Sequence, residues 1–119
     1  MSERLSALGK TTIAPEVIVS VIRLNTLKVT GVSALAVIPT SVDRFFSRGI
    51  DDGVKISVEN NVVNADIFVI LHHDINVREV GKSIQHKVSR AISEMVGMEV
   101  GKINIHVEDI DFSADSSKK

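Results

Sequence analysis

The 119-residue chain has no cysteine, no tryptophan and no tyrosine. Without cysteine it can hold neither a disulfide framework nor a thiolate zinc site, nor a cysteine nucleophile, which fits a reducing compartment such as the cytoplasm. With only four phenylalanines as aromatics, few rings are available to stack nucleic-acid bases. Charge of either sign is also lacking in excess. Fourteen Lys and Arg against fifteen Asp and Glu leave a net charge of −1, so no basic field attracts a phosphate backbone. No apolar run approaches the roughly 20 residues of a membrane span, and "MSERLSALGK" lacks the apolar stretch of a secretory signal. If the protein sits at a membrane, something else is expected to hold it there.

What remains is an ordinary folding composition, 44% hydrophobic and 24% charged, far from that of a disordered chain. No linker-like stretch or internal repeat interrupts it. One domain is expected over residues 9–112, after a flexible N-terminus at 1–8 and before a small, polar, disordered tail at 113–119.

"KTTIA" reads as a short strand, and Pro15 suits the first position of a following helix, where a missing N–H costs nothing. Ala14, Val17, Val21 and Leu24 fall on one side of that helix at 100° per residue, with Ile18, Ile22 and Val29 in a strip beside them. This apolar arc is wider than one sheet face needs. Gly31 is expected to stop the helix in a left-handed position. "VSALAVIP" is a β-type run closed by Pro39, and "TSVDRFFSRGIDDG" a long loop. "VKISV", the turn "ENN" and "VVNADIFVILHH" form a hairpin, with Val63, Ala65, Ile67, Val69 and Leu71 on one face.

From Asn76 the period becomes helical. Val77, Val80, Ile84, Val88, Ala91, Ile92 and Met95 share one direction to within roughly 60°. Gly97 caps this helix, Gly101 is expected to turn the chain, and a last strand points Ile103, Ile105 and Val107 inward and Asn104, His106 and Glu108 outward. The fold class is therefore α+β: a two-layer sandwich in β-α-β-β-β-α-β order, with two helices packed on one face of a mixed sheet.

Chemistry-bearing motifs are few. "GKTT" at Gly9 and "GKS" at Gly81 lack the phosphate-loop glycine five positions earlier, where Arg4 and Asn76 stand. His72, His73 and Asp74 are consecutive, so alternation sends them to opposite faces. His86 lies opposite its helix's apolar stripe, toward solvent or a partner. His106 lies on an outer face that His72 shares, the place for a two-histidine surface metal site, although zinc would need further ligands. Asp51 and Asp52, between glycines, are read more simply as turn residues than as paired carboxylates. No catalytic signature appears, and no catalytic, cofactor or metal residues are assigned. "RFFSR" differs: Phe45 and Phe46 either fold back over the core or form an aromatic and arginine contact patch. Phe68 and Ile70 add an apolar centre to the outer sheet face, which suggests self-association or a docked partner.

"GKTTIAPEVI", "VTGVSALAV", the glycine and valine of "DGVKISV", "ADIFVIL" and "INVREVGKSIQHKVSRAISEMVGMEVGKINIHVEDI" stand in an order and spacing that resemble the alkaline shock protein family of Gram-positive bacteria, also called the general-stress or cell-envelope stress response family. The resemblance runs from about Gly9 to Ile110. It implies a small cytoplasmic, non-enzymatic protein without cofactors that supports envelope homeostasis. Such a protein assembles with itself as a homo-oligomer, or is recruited to the inner membrane face by a membrane-anchored partner. The contact residues expected from the physical reading are Arg44, Phe45, Phe46, Arg48, Phe68 and Ile70. The alternatives are a nucleic-acid-binding small α+β domain, disfavoured by the balanced charge, and a metal-dependent enzyme, resting on the histidines alone.

Overall fold

The structure, a computed structural model, describes residues 8–38 and 53–113. The elements are α1 (Pro15–Leu27), β1 (Val32–Leu35), β2 (Val54–Glu59), β3 (Val62–His72), α2 (Val77–Ala91) and β4 (Glu99–Asp111), with one π-helical turn, Ile92–Val96, closing α2. The α+β class and the two-layer plan hold. The strand expected over residues 10–14 does not form: of these, only Ile13 is half-buried, against the edge of the core. A β-prone segment without a paired neighbour has no ladder to join. The described order therefore starts at α1.

β3 is the axis of the sheet. Val63, Ala65, Ile67, Val69 and Leu71 are all buried, and the residues between them are half-exposed. β2 returns antiparallel through a two-residue turn, Asn60 (φ 53°) and Asn61 (φ 66°), whose left-handed angles match the twist of a hairpin. Changing Asn61 to Val, which resists positive φ, should cost about 1–2 kcal/mol in chemical denaturation; an unchanged midpoint would refute the turn assignment. On the other side β4 runs parallel to β3, an arrangement that requires the crossover α2 supplies. The sheet is mixed, as expected.

β1 and β2 lie on the same edge of β3, end to end. Leu35 pairs with Val69 and Val54 with Ile67, and the Ala36 N–H donates to Phe68 O at 2.8 Å between them. They behave as one edge strand interrupted by the intervening segment.

Both helices cover one face. Ile18 and Ile22 of α1 and Val80, Ile84 and Val88 of α2 join the inward residues of β3 in one contiguous apolar cluster. Asn76 caps α2 by accepting from the Glu79 N–H at 3.0 Å. α1 ends at Leu27, before Gly31 is reached, because tight bonds from the N–H groups of Lys28 and Val29 to Asn25 and Thr26 close its last turn. Gly31 (φ +105°) instead turns the chain into β1, where an added Cβ would press on Val80 Cγ2 at 2.8 Å.

Two other expectations are corrected. Met95 is 68% exposed, because the Gly97 N–H reaches back five residues to Ile92 O (2.9 Å) and this wider turn rotates Met95 off the α-helical stripe. Gly101 does not turn the chain; it lies within β4, in a bulge between Val100 and Ile103 that the Asn64 carboxamide holds by accepting from the Lys102 N–H at 2.7 Å. Val107 does share the inward face, as expected, since it pairs with the buried Val69, but it stays 37% exposed where the β3–β4 register shifts a second time. Gly97 caps the helix end in the left-handed conformation, as expected.

Candidate functional site: the uncovered sheet face

Alternation along β3 leaves Asn64, Asp66, Phe68, Ile70 and His72 on the face that no helix covers among the described residues. Pairing register adds Lys55 and Glu59 from β2, Ala34 from β1, and Asn104, His106, Asp109 and Asp111 from β4. At its centre the Phe68 and His106 rings stack with centroids 4.5 Å apart and planes inclined by 14°. His106 Nε2 meets Asp66 Oδ1 at 2.9 Å, and Asn104 Nδ2 donates to the same oxygen at 3.2 Å. An ionised carboxylate only accepts, so the Nε2 of His106 carries the proton. The side chains of His106 and Asp66 remain 40% and 37% exposed. At the far end Asp111 accepts from Ser33 Oγ and Ser113 Oγ, each at 2.6 Å.

Two of the expected contact residues, Phe68 and Ile70, therefore share one half-buried apolar centre. Arg44, Phe45, Phe46 and Arg48 lie outside the described residues, as do Asp51 and Asp52, Pro39, and most of the two expected flexible ends. His106 does stand on the outer face of a strand, but it is less bare than alternation alone implies. Its contacts with Asp66 and Asn104 were not legible from spacing, since they depend on the register of a parallel strand.

The arrangement has little catalytic equipment. Beside the His106–Asp66 pair stand an amide and a phenyl ring, neither of them a nucleophile. His72 pairs across from Asp111 and His106 across from Phe68; four residues of strand separate them, about 13 Å at 3.3 Å per residue, too far to share one ion. Among the described residues no group of three or more His, Cys, Asp or Glu could hold a metal. His86 faces solvent on α2. Asp66, Asp109 and Asp111 stand around the Phe68 and Ile70 centre and would repel a phosphate backbone. Among the described residues no helix is long and apolar enough to cross a membrane.

In fold, the chain is similar to the MamM CTD, with a TM-score of 0.56 over 81% of this chain and 99% of that one at 15% identity. It is equally similar to a MamM CTD variant in a zinc form, at 0.57 and 13% identity, over 82% and 88% of the two chains. In sequence it is 32% identical over 104 residues to the uncharacterized protein Spy1535 of Streptococcus pyogenes serotype M6, covering 87% of this chain and 80% of the relative. It is 27% identical over 107 residues to the uncharacterized protein YqhY of Bacillus subtilis, covering 88% and 79%. Residues 3–112, which contain every element described above, match the pattern of one family, and the chain belongs to it: the alkaline shock protein 23 family, of cell envelope-related function.

Proposed function

We propose that this protein is a non-enzymatic interaction module that supports cell-envelope homeostasis under stress. It acts by what it touches: as a cytoplasmic protein it assembles with copies of itself or is held at the inner membrane face by a membrane-anchored partner. The observation that carries this reading is the uncovered sheet face, where Phe68 and Ile70 lie half-exposed at the centre and polar groups surround them. An apolar centre with a polar rim is the anatomy of a docking surface, and membership of a cell envelope-related family supports the same direction. Phe45 and Phe46, with Arg44 and Arg48, are proposed as a second contact element.

The test is affinity capture from native lysate and from detergent-solubilised membranes, read by mass spectrometry. Wild type is compared with Phe68→Ser/Ile70→Ser and, separately, with Phe45→Ser/Phe46→Ser. Each half-buried side chain removed from the sheet face should cost only about 1 kcal/mol of stability. Membrane-protein recovery should fall severalfold in at least one variant that still folds. Recovery of the same partners at wild-type levels by both folded variants would end the contact assignment. Substrate turnover by the purified protein would end the non-enzymatic reading.

A further inference from the structure

We propose that the outer surface of the helix layer of one copy docks on the uncovered sheet face of a second copy, a contact between unlike faces; this rests on the interaction-module reading and specifies one partner for it. The helix layer supplies both halves of the argument. On α1, Val17 and Leu24 lie about 200–220° around from the buried Ile22 at 100° per residue, so they point away from the sheet. They are 50% and 57% exposed, and Leu27 beside them is 44% exposed. On α2, Arg78, Lys82, His86 and Arg90 recur every fourth residue, opposite the buried Val80, Ile84 and Val88. Twelve residues of helix make this basic stripe about 18 Å long. Lys87 lies next to it, and the nearby carboxylates of Glu79 and Glu94 leave it net positive; Arg90 and Glu94 approach to only 3.5 Å in an exposed pair.

The sheet face is the complement. Among the described residues it has an apolar centre, Phe68 and Ile70, and five carboxylates, Glu59, Glu99, Asp66, Asp109 and Asp111, against two ammonium groups, Lys55 and, in the bulge opposite Asn64, Lys102. Aliphatic side chains beside cations on one face thus match a ring and an isoleucine beside carboxylates on the other. Like-face pairing fails this match, because sheet on sheet opposes carboxylates and helix on helix opposes cations. Anionic lipid would suit the stripe but leaves the acidic, apolar sheet face bare. Docking of a second copy covers it with helices, the arrangement that buries both faces of a sheet. Because the two surfaces lie on opposite sides of the molecule, the contact repeats from copy to copy instead of closing on itself.

Sedimentation velocity over a concentration series tests the proposal, using Lys82→Glu/Arg90→Glu for the helix face and Glu59→Lys/Asp109→Lys for the sheet face. All four positions are exposed, and circular dichroism melts confirm folding. Wild type should grow in mean mass with concentration, without stopping at a dimer, and added salt should reverse the growth. Each variant alone should associate about tenfold more weakly, and an equimolar mixture of the two should regain association, since each restores the charge pairing the other has lost. The proposal is overturned if wild type stays monomeric or stops at a closed dimer, if either folded variant assembles like wild type, or if the mixture stays dissociated. Binding of a monomeric wild type to vesicles containing anionic lipid, lost in Lys82→Glu/Arg90→Glu, would assign the stripe to lipid and also overturn it. A monomeric wild type that still captures its membrane partner would sink this contact and leave the interaction-module reading intact.

Discussion

Replacing Gly53 by alanine should cost about 3 kcal/mol, a left-handed penalty of about 1–2 kcal/mol plus the strain of an overpacked site. Gly53 has φ +77°, and an added Cβ would stand 2.5 Å from Ala36 O, 2.8 Å from Phe68 O and 3.1 Å from Leu35 Cβ. These neighbours cannot drift away cheaply. Phe68 O accepts the Ala36 N–H bond that joins the two halves of the edge strand, so any shift that relieves the methyl group weakens that bond. Urea denaturation of the variant measures the loss. A change below about 0.5 kcal/mol, the scale of an ordinary surface substitution, would show that β1 and β2 do not close on Gly53 as described. Because Phe68 sits on this backbone, the same variant should also loosen the Phe68–His106 stack, seen as shifted His106 ring resonances in NMR spectra.

Ile67→Ala should be of similar size, about 4 kcal/mol, within the usual range for truncating a buried isoleucine. Ile67 is fully buried in the middle strand, between Val54 on one side and Ile105 on the other. Three strands fix the backbone around it, so the cavity cannot collapse easily. The informative control is Ile70→Ala, three residues along but on the opposite face, where half-burial limits the cost to about 1 kcal/mol. Equal losses at the two positions, measured by the same denaturation, would contradict the one-sided core.

The contrast between those two residues also shows why so much of the fold is legible in the sequence. Period-two alternation in "VVNADIFVIL" assigns Ile67 inward and Ile70 outward without further knowledge, and the apolar stripe of α2 is equally plain. What escaped the pattern depends on distant partners. Met95 keeps helical spacing, yet a π-turn moves it out. Gly101 looks like a turn because only Asn64, well back along the chain, reveals it as a bulge. "KTTIA" has β propensity but no neighbouring strand to pair with. At the sheet face, Phe68 and Ile70 follow from alternation, whereas the convergence of His106 and Asn104 on Asp66 requires the register between β3 and β4, set by two irregularities in their ladder. Of the basic stripe on α2 the helical period had placed only His86, and the carboxylates that complement the stripe come from β2 and β4 as well as from β3 between them.

The interrupted edge strand has an evolutionary consequence. Residues 36 and 53 are fastened to neighbouring points of β3, one through its Ala36 N–H and the other by close packing, so the ends of the intervening segment are fixed by the sheet and not by the segment's own length. Relatives can therefore lengthen, shorten or rewrite that segment, "RFFSR" included, while every strand pairing stays in place. The sheet can stay constant while the chain between residues 36 and 53 diverges among relatives that share this fold.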